Sequence, residues 1–158
     1  GPSPQRRRWI AWGLAIWFAI QLALPLRHLL YPGDVLWTQE GFRFAWRVKL
    51  VERDGSLTYR VGDPENGKSW VVHPSRYLTR RQTELASSDP SKILQLAHAI
   101  ADDFEAKGHG DVEVRADARV SLNGRPSRRL IDPTVDLADQ PRSLWHKEWI
   151  LAWDDAKD

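Results

Sequence analysis

The sequence predicts an α+β architecture, with a single transmembrane helix followed by an antiparallel β-rich domain that has two central helices. Three observations predict it. The 18 residues from Trp9 to Leu26 carry no charge. Period-two alternation appears twice, over residues 42–51 and 112–122, and two helix-start signals stand between those stretches. The expected organisation is a basic cytoplasmic flank over residues 1–8, a transmembrane helix over 9–30 and an extracytoplasmic β-rich domain over 31–158.

The first element follows from length and charge. At about 1.5 Å per residue the uncharged run covers roughly 27 Å, close to the thickness of a hydrocarbon core. Arg6-Arg7-Arg8 precede it, while Arg27 and His28 follow. That excess of arginine places the N-terminal flank in the cytoplasm. Trp9, Trp12 and Trp17 suit an aromatic belt near the start, and Pro25 suits a helix that loosens at the interface. A secretory signal peptide has a shorter apolar region and a small-residue cleavage site, and neither is present. A buried core helix would show a polar face, whereas Gln21 is the only polar residue of the eighteen.

The body then reads strand, helix, strand. Phe42, Phe44, Trp46, Val48 and Leu50 alternate with Arg43, Ala45, Arg47, Lys49 and Val51, which predicts a strand with one apolar face. Asp54-Gly55 reads as a turn, Leu57-Tyr59-Val61 as the returning strand and residues 63–67 as a second turn before Trp70-Val71-Val72. Thr79 with Gln82 forms a capping box opening a helix to about Ala86. Asp89 with Pro90 at the first helical position opens a longer one. Ile93, Leu96, Ala97, Ile100, Ala101 and Phe104 form its apolar stripe, best read as core, and Gly108 ends it. Val112 to Leu122 alternate without a miss, Asn123-Gly124 signals a hairpin, Leu130-Ile131 starts the return strand and Asp132-Pro133 ends it. Strands, helices and strands in that order argue for an antiparallel sheet with its helices on one face.

Composition narrows the function. Of the 158 residues, 42% are hydrophobic and 28% charged, as in a folding domain. Residues 1–30 hold four arginines and no acid, leaving 19 basic against 21 acidic side chains beyond them. With no basic stripe on the body, nucleic acid is not an expected partner. The absence of cysteine excludes disulfides, a thiolate nucleophile and Cys-ligated metal. The absence of methionine, initiator included, leads to the expectation that the chain belongs to something longer. Gly1-Pro2-Ser3 then reads as a processing scar or simply as where the segment begins.

No phosphate loop, metal-spaced histidine pair or serine nucleophile elbow occurs. His109 falls in a Gly-His-Gly turn, His98 flanks the helical stripe, and His146-Lys147-Glu148 reads as a solvated stretch. Asp102-Asp103 and Asp154-Asp155 read as solvated acids. The densest segment lies just past the apolar run, where Arg27, His28, Tyr31, Asp34, Trp37, Glu40, Arg43 and Trp46 crowd into 20 residues. Such a cluster can line a site where a polar substrate meets a lipid-soluble one. It can equally be an interfacial anchor of snorkelling arginine and amphipathic rings.

That segment resembles the vitamin K-dependent γ-glutamyl carboxylase family, bacterial relatives included. The resemblance rests on Leu24-Pro25-Leu26-Arg27-His28, on Trp37-Thr38 followed by Gly41-Phe42-Arg43-Phe44-Ala45-Trp46, and on residues 120–125 and 131–137. Trp149-Ile150-Leu151 resembles an element near the end of the bacterial branch. The resemblance implies a last membrane helix plus an extracytoplasmic domain that helps hold a glutamate-containing peptide. In the family, oxygenation of vitamin K hydroquinone generates the base that permits carboxylation of peptide glutamate. The Lys and His of that chemistry lie on helices upstream, so no catalytic residue is expected in this chain, no metal, and no cofactor bound by it alone. The expected partners are upstream membrane helices, the glutamyl peptide and the lipid bilayer. The expected substrate-side residues are Arg27, His28, Asp34, Trp37, Thr38, Glu40, Arg43 and Trp46, with Arg27 or Arg43 gripping the carboxylate. Trp46 also fits a place in the core, with Phe42 and Phe44 on the same strand face. The competing class is a single-pass anchored binding module without chemistry.

Overall fold

The computed structural model describes residues 3–42, 45 and 51–153. Four strands form one antiparallel sheet in the order β2-β1-β3-β4: β1 Arg53–Asp63, β2 Lys68–Val72, β3 Glu113–Leu122 and β4 Arg128–Arg129. Four helices accompany them: α1 Pro4–Leu26, α2 Val35–Thr38, α3 Arg80–Ala86 and α4 Pro90–Ala106. The α+β expectation holds. The expected strand over 42–51 falls almost wholly outside the described residues, as do Arg43, Trp46 and Asp154-Asp155.

α1 starts earlier than expected, because Ser3 caps it and Pro4 occupies its first turn. It is the one helix among the described residues long and apolar enough to cross a membrane. Its only buried residue is Pro25, and beyond Leu26 the backbone tightens into a 3-10 turn, Arg27–Leu30.

The core lies between the sheet and α4. Val114, Ala116, Ala118 and Val120 of β3 and Leu57, Tyr59 and Val61 of β1 turn one buried face toward Ile93, Leu96, Ala97, Ile100 and Phe104. Period two on the strands and helical spacing on α4 thus meet as two apolar surfaces. The Tyr59 hydroxyl donates to the Ile93 carbonyl at 2.8 Å across that interface, and burial pushes its ionisation far above the ordinary phenol range. The local signals around α4 are realised. Thr79 and Gln82 form the capping box of α3, Asp89 caps α4 at the Ser91 amide (2.9 Å), and Gly108 takes φ +85° past its end.

Asp54-Gly55 is not a turn. Both residues continue β1, with Gly55 opposite Val120. Glycine is needed there for proximity: a Cβ would lie 2.7 Å from the Ser87 carbonyl oxygen, where the end of α3 presses on the strand. The turn Leu122–Arg125 forms as expected, with Asn123 and Gly124 both at positive φ and the Arg125 amide donating to the Leu122 carbonyl (3.1 Å). Pairing then resumes one residue out of step, with Val120 opposite Arg128. The return strand is therefore Arg128–Arg129 rather than Leu130-Ile131, and these two become core, Ile131 bridging to Ile150.

Between β1 and β2, the buried Asp63 carboxylate accepts the amides of Glu65 and Asn66 (3.0 Å each) and the Asn66 side-chain amide (2.8 Å). These bonds, that of the Asn66 side chain foremost, hold its pKa below the usual carboxylate range, with His109 a minor contributor.

Two measurements test this frame in the micelle-solubilised chain. Gly55→Ala is expected to cost about 1–3 kcal/mol by overpacking against backbone, read as a lower denaturation midpoint. Gly62→Ala, in the same strand with open space around it, serves as the near-neutral control. Asp63 is depressed in the folded state, so its stabilisation is present above the unfolded carboxyl pKa and lost as pH falls through the folded one. Asp63→Asn should be less stable than the parent at neutral pH and converge with it as pH falls through the lowered carboxyl pKa. A constant gap across that range would contradict the assignment.

Candidate functional site

The segment after α1 is folded back against the sheet by short-range rules. Asp34 accepts the Leu36 amide (2.8 Å) and so caps α2. Gln39 ends it in the left-handed region at φ +58°, and Gly41 follows at φ +68°. Gly41 tolerates no side chain, since a Cβ would lie 2.7 Å from the His28 Cα and 2.8 Å from the Tyr31 ring. The chain therefore presses its α2 exit directly onto the exit of α1.

Arg53 locks this arrangement. Its Nη1 donates to the Trp37 carbonyl (3.0 Å) and to that of Leu36, at the C-terminal end of α2. Its Nη2 donates to the Ser88 carbonyl (2.7 Å) between α3 and α4. Burial lowers its pKa to about 10, partly opposed by Asp89 and Asp34, so it stays charged at neutral pH. Trp37 beside it is buried, donates from Nε1 to the Leu151 carbonyl (2.7 Å) and meets Trp153 edge-on at 4.7 Å.

Glu40 is the buried acid of the segment. One carboxylate oxygen accepts the Lys147 amide at 2.9 Å, and the other lies 2.7 Å from His146 Nδ1. An ionised carboxylate only accepts, so in this arrangement Nδ1 carries the proton. The stretch 146–148 is thus not merely solvated, since its first two residues are fastened to Glu40 across more than a hundred positions of sequence.

Beside this contact lies a cavity of about 200 Å³. Arg27 and Tyr31 bound it from the exit of α1, Thr38 to Phe42 from the exit of α2, Ser91 from the start of α4, and Leu144 and Lys147 from the C-terminal segment. Among the described residues Arg27 has no hydrogen-bond or ion-pair partner. Its Nε is buried, and its guanidinium lies 5.9 Å from the Tyr31 ring centroid.

The structure brings Arg27, Thr38 and Glu40 of the expected set to this cavity. His28 points back instead, donating from Nδ1 to the Pro25 carbonyl (2.8 Å). Asp34 serves as a cap and Trp37 as core, while Arg43 and Trp46 lie outside the described residues. Sequence reasoning missed Arg53, His146 and Lys147, whose partners are all distant in the chain. Among the described residues no group of three His, Asp or Glu is placed to hold a metal ion.

The family model for the vitamin K-dependent gamma-carboxylase lumenal domain matches residues 6–156. The chain belongs to that family. No solved structure matches it. The lumenal-domain match takes in the exit of α1, the sheet and the C-terminal segment that closes the cavity, so the site is assembled wholly within the matched region.

In this lumenal domain Glu40 is expected to act as the clasp of the C-terminal segment. Glu40→Ala should cost about 1.5–3 kcal/mol, the worth of a charge-assisted bond with its partner left unpaired. It should also speed hydrogen exchange at the Lys147 amide. Glu40→Gln, which keeps an acceptor for that amide, should restore most of the protection. Equal exchange in all three proteins would show that the clasp does not hold the segment.

Proposed function

We propose that the chain is the substrate-side, C-terminal part of an integral membrane carboxylase that acts on peptide glutamate. In this reading α1 is the last membrane helix and residues 31–158 lie on the extracytoplasmic side. The excess of arginine before the apolar run supports that orientation. Upstream helices of the same protein would supply the proton acceptor and hold the hydroquinone. The cavity described here does not fit a quinone, since about 200 Å³ falls below the roughly 300–1,000 Å³ of sites that enclose such molecules.

The observation that carries the proposal is Arg27, a cation at the end of α1 that lines the cavity and has no acceptor among the described residues. A glutamyl carboxylate entering there meets a planar fork able to hold both oxygens. Glu40 does not compete for that fork, because its own oxygens are taken by His146 and Lys147. Arg27 thus fixes the carboxylate end of the side chain and leaves its γ-carbon toward the membrane helices.

The test is made in the full-length protein with a glutamyl peptide and labelled CO2. Arg27→Gln should raise KM about 10- to 100-fold with a smaller change in kcat, the loss expected for one charge-assisted hydrogen-bonded contact. Unchanged KM would remove Arg27 from the site. Peptide binding without any incorporation of label, in the unaltered protein, would favour the anchored binding module.

A further inference from the structure

We infer that the loop 140–147 is a second membrane contact, whose tip, Leu144 and Trp145, inserts at the headgroup level of the leaflet from which α1 emerges. This rests on the proposal that α1 crosses a bilayer.

The first observation is where the exposed apolar side chains are. Outside α1, the large hydrophobic residues exposed among those described are Leu29, Leu30, Val71, Leu85, Leu144 and Trp145. Val71 and Leu85 stand apart on β2 and α3. The other four lie on two segments that are joined, because the Tyr31 hydroxyl donates to the Leu144 carbonyl and so fixes the loop tip to the residue that follows Leu29-Leu30. Leu30 and Trp145 are 81% and 82% exposed, the highest values among these six. A patch of this kind marks a contact surface, whereas scattered single residues do not.

The second observation is that the loop is held from both ends, so its tip is displayed rather than frayed. Arg142 Nε donates to His98 Nδ1 (3.2 Å), leaving His98 Nε2 to donate to the Gln140 carbonyl (2.9 Å). Glu40 fastens His146 and the Lys147 amide on the other side. Between these anchors the Trp145 amide bonds the Ser143 hydroxyl (3.2 Å), turning the chain at the tip.

A lipid surface is the occupant that fits. The tip is tied through Tyr31 to the segment that leaves the apolar helix, and tryptophan with its polar N–H favours the zone between acyl chains and headgroups. Arg142 and Lys147 flank the tip with positive charge, as in segments that lie on anionic membranes. Two attachments, α1 and this loop, would fix the tilt of the domain. Leu144 and Tyr31 also line the cavity, so its mouth would then open at headgroup depth.

The chain has no cysteine, so a single introduced thiol carries the only label. Trp145→Cys, with Leu144→Cys as a second variant, is coupled to an environment-sensitive fluorophore. The full chain is then reconstituted into phosphatidylcholine vesicles with a minor fraction of phosphatidylglycerol. Leu14→Cys within α1 and Val71→Cys on β2 are the controls. Lipids carrying a quencher at shallow or deep positions report depth. The expected result is deep quenching at 14, shallow quenching at 144 and 145, and none at 71. Quenching at 14 with none at 144 and 145 would overturn the loop contact and leave the span standing. No quenching at any position would overturn both. A blue-shifted but unquenched label at 145 would assign the tip to a protein surface and equally overturn the inference.

Discussion

The half-buried guanidinium of Arg53 makes the interaction on which the site's geometry depends. Bringing a charge inside a protein is costly unless donors find acceptors. Here the two terminal nitrogens reach three carbonyls, two at the end of α2 and one between α3 and α4. Those carbonyls belong to ends of helices, where backbone acceptors are otherwise unpaired and the dipole favours a cation. Arg53 is also the first residue of β1, so one side chain ties the segment after α1 to the sheet and to the helical layer together. Two residues on, Gly55 lets Ser87 approach the strand closely enough for the neighbouring Ser88 carbonyl to be reached. Fold and site therefore share a joint.

That joint explains which parts were legible in the sequence. The capping box at Thr79, the Asp89-Pro90 start of α4 and the alternation of β3 are determined within a few residues, and each appears as the local rules require. Asp54-Gly55 misleads for a physical reason. Its composition suits a turn, but the glycine answers a neighbour more than thirty positions away. The turn at Asn123-Gly124 is legible while the register beyond it is not, because pairing resumes out of step.

The site divides along the same line. Arg27, Thr38 and Glu40 stand close to one another in sequence and meet at one cavity. His146 and Lys147 arrive from the far end of the chain, and no spacing could disclose them. Trp37 shows how a residue type can point two ways. A tryptophan next to a membrane exit suggests an interface, yet this one is buried and donates to Leu151, while Trp145 takes the exposed position.

Two acids and two bases line the cavity, and Asp89 is engaged by the Ser91 amide and by Lys92, so its electrostatic character turns on Glu40 and Arg27. Glu40 is buried with both oxygens engaged, by an imidazole and by a backbone amide. Its negative charge is therefore spent on structure, holding the C-terminal segment in place. Arg27 has the opposite standing: it lines the same cavity, and no described residue accepts from it. Arg27 is half-buried, and partial enclosure strengthens whatever interaction such a cation makes. In the proposed reading a glutamyl carboxylate is the anion that would pair with it. Arg27 stands on the turn where α1 ends, so an anion bound to it would sit where the helix meets the domain. The clasped acid and the open cation together would make the cavity favour an anion.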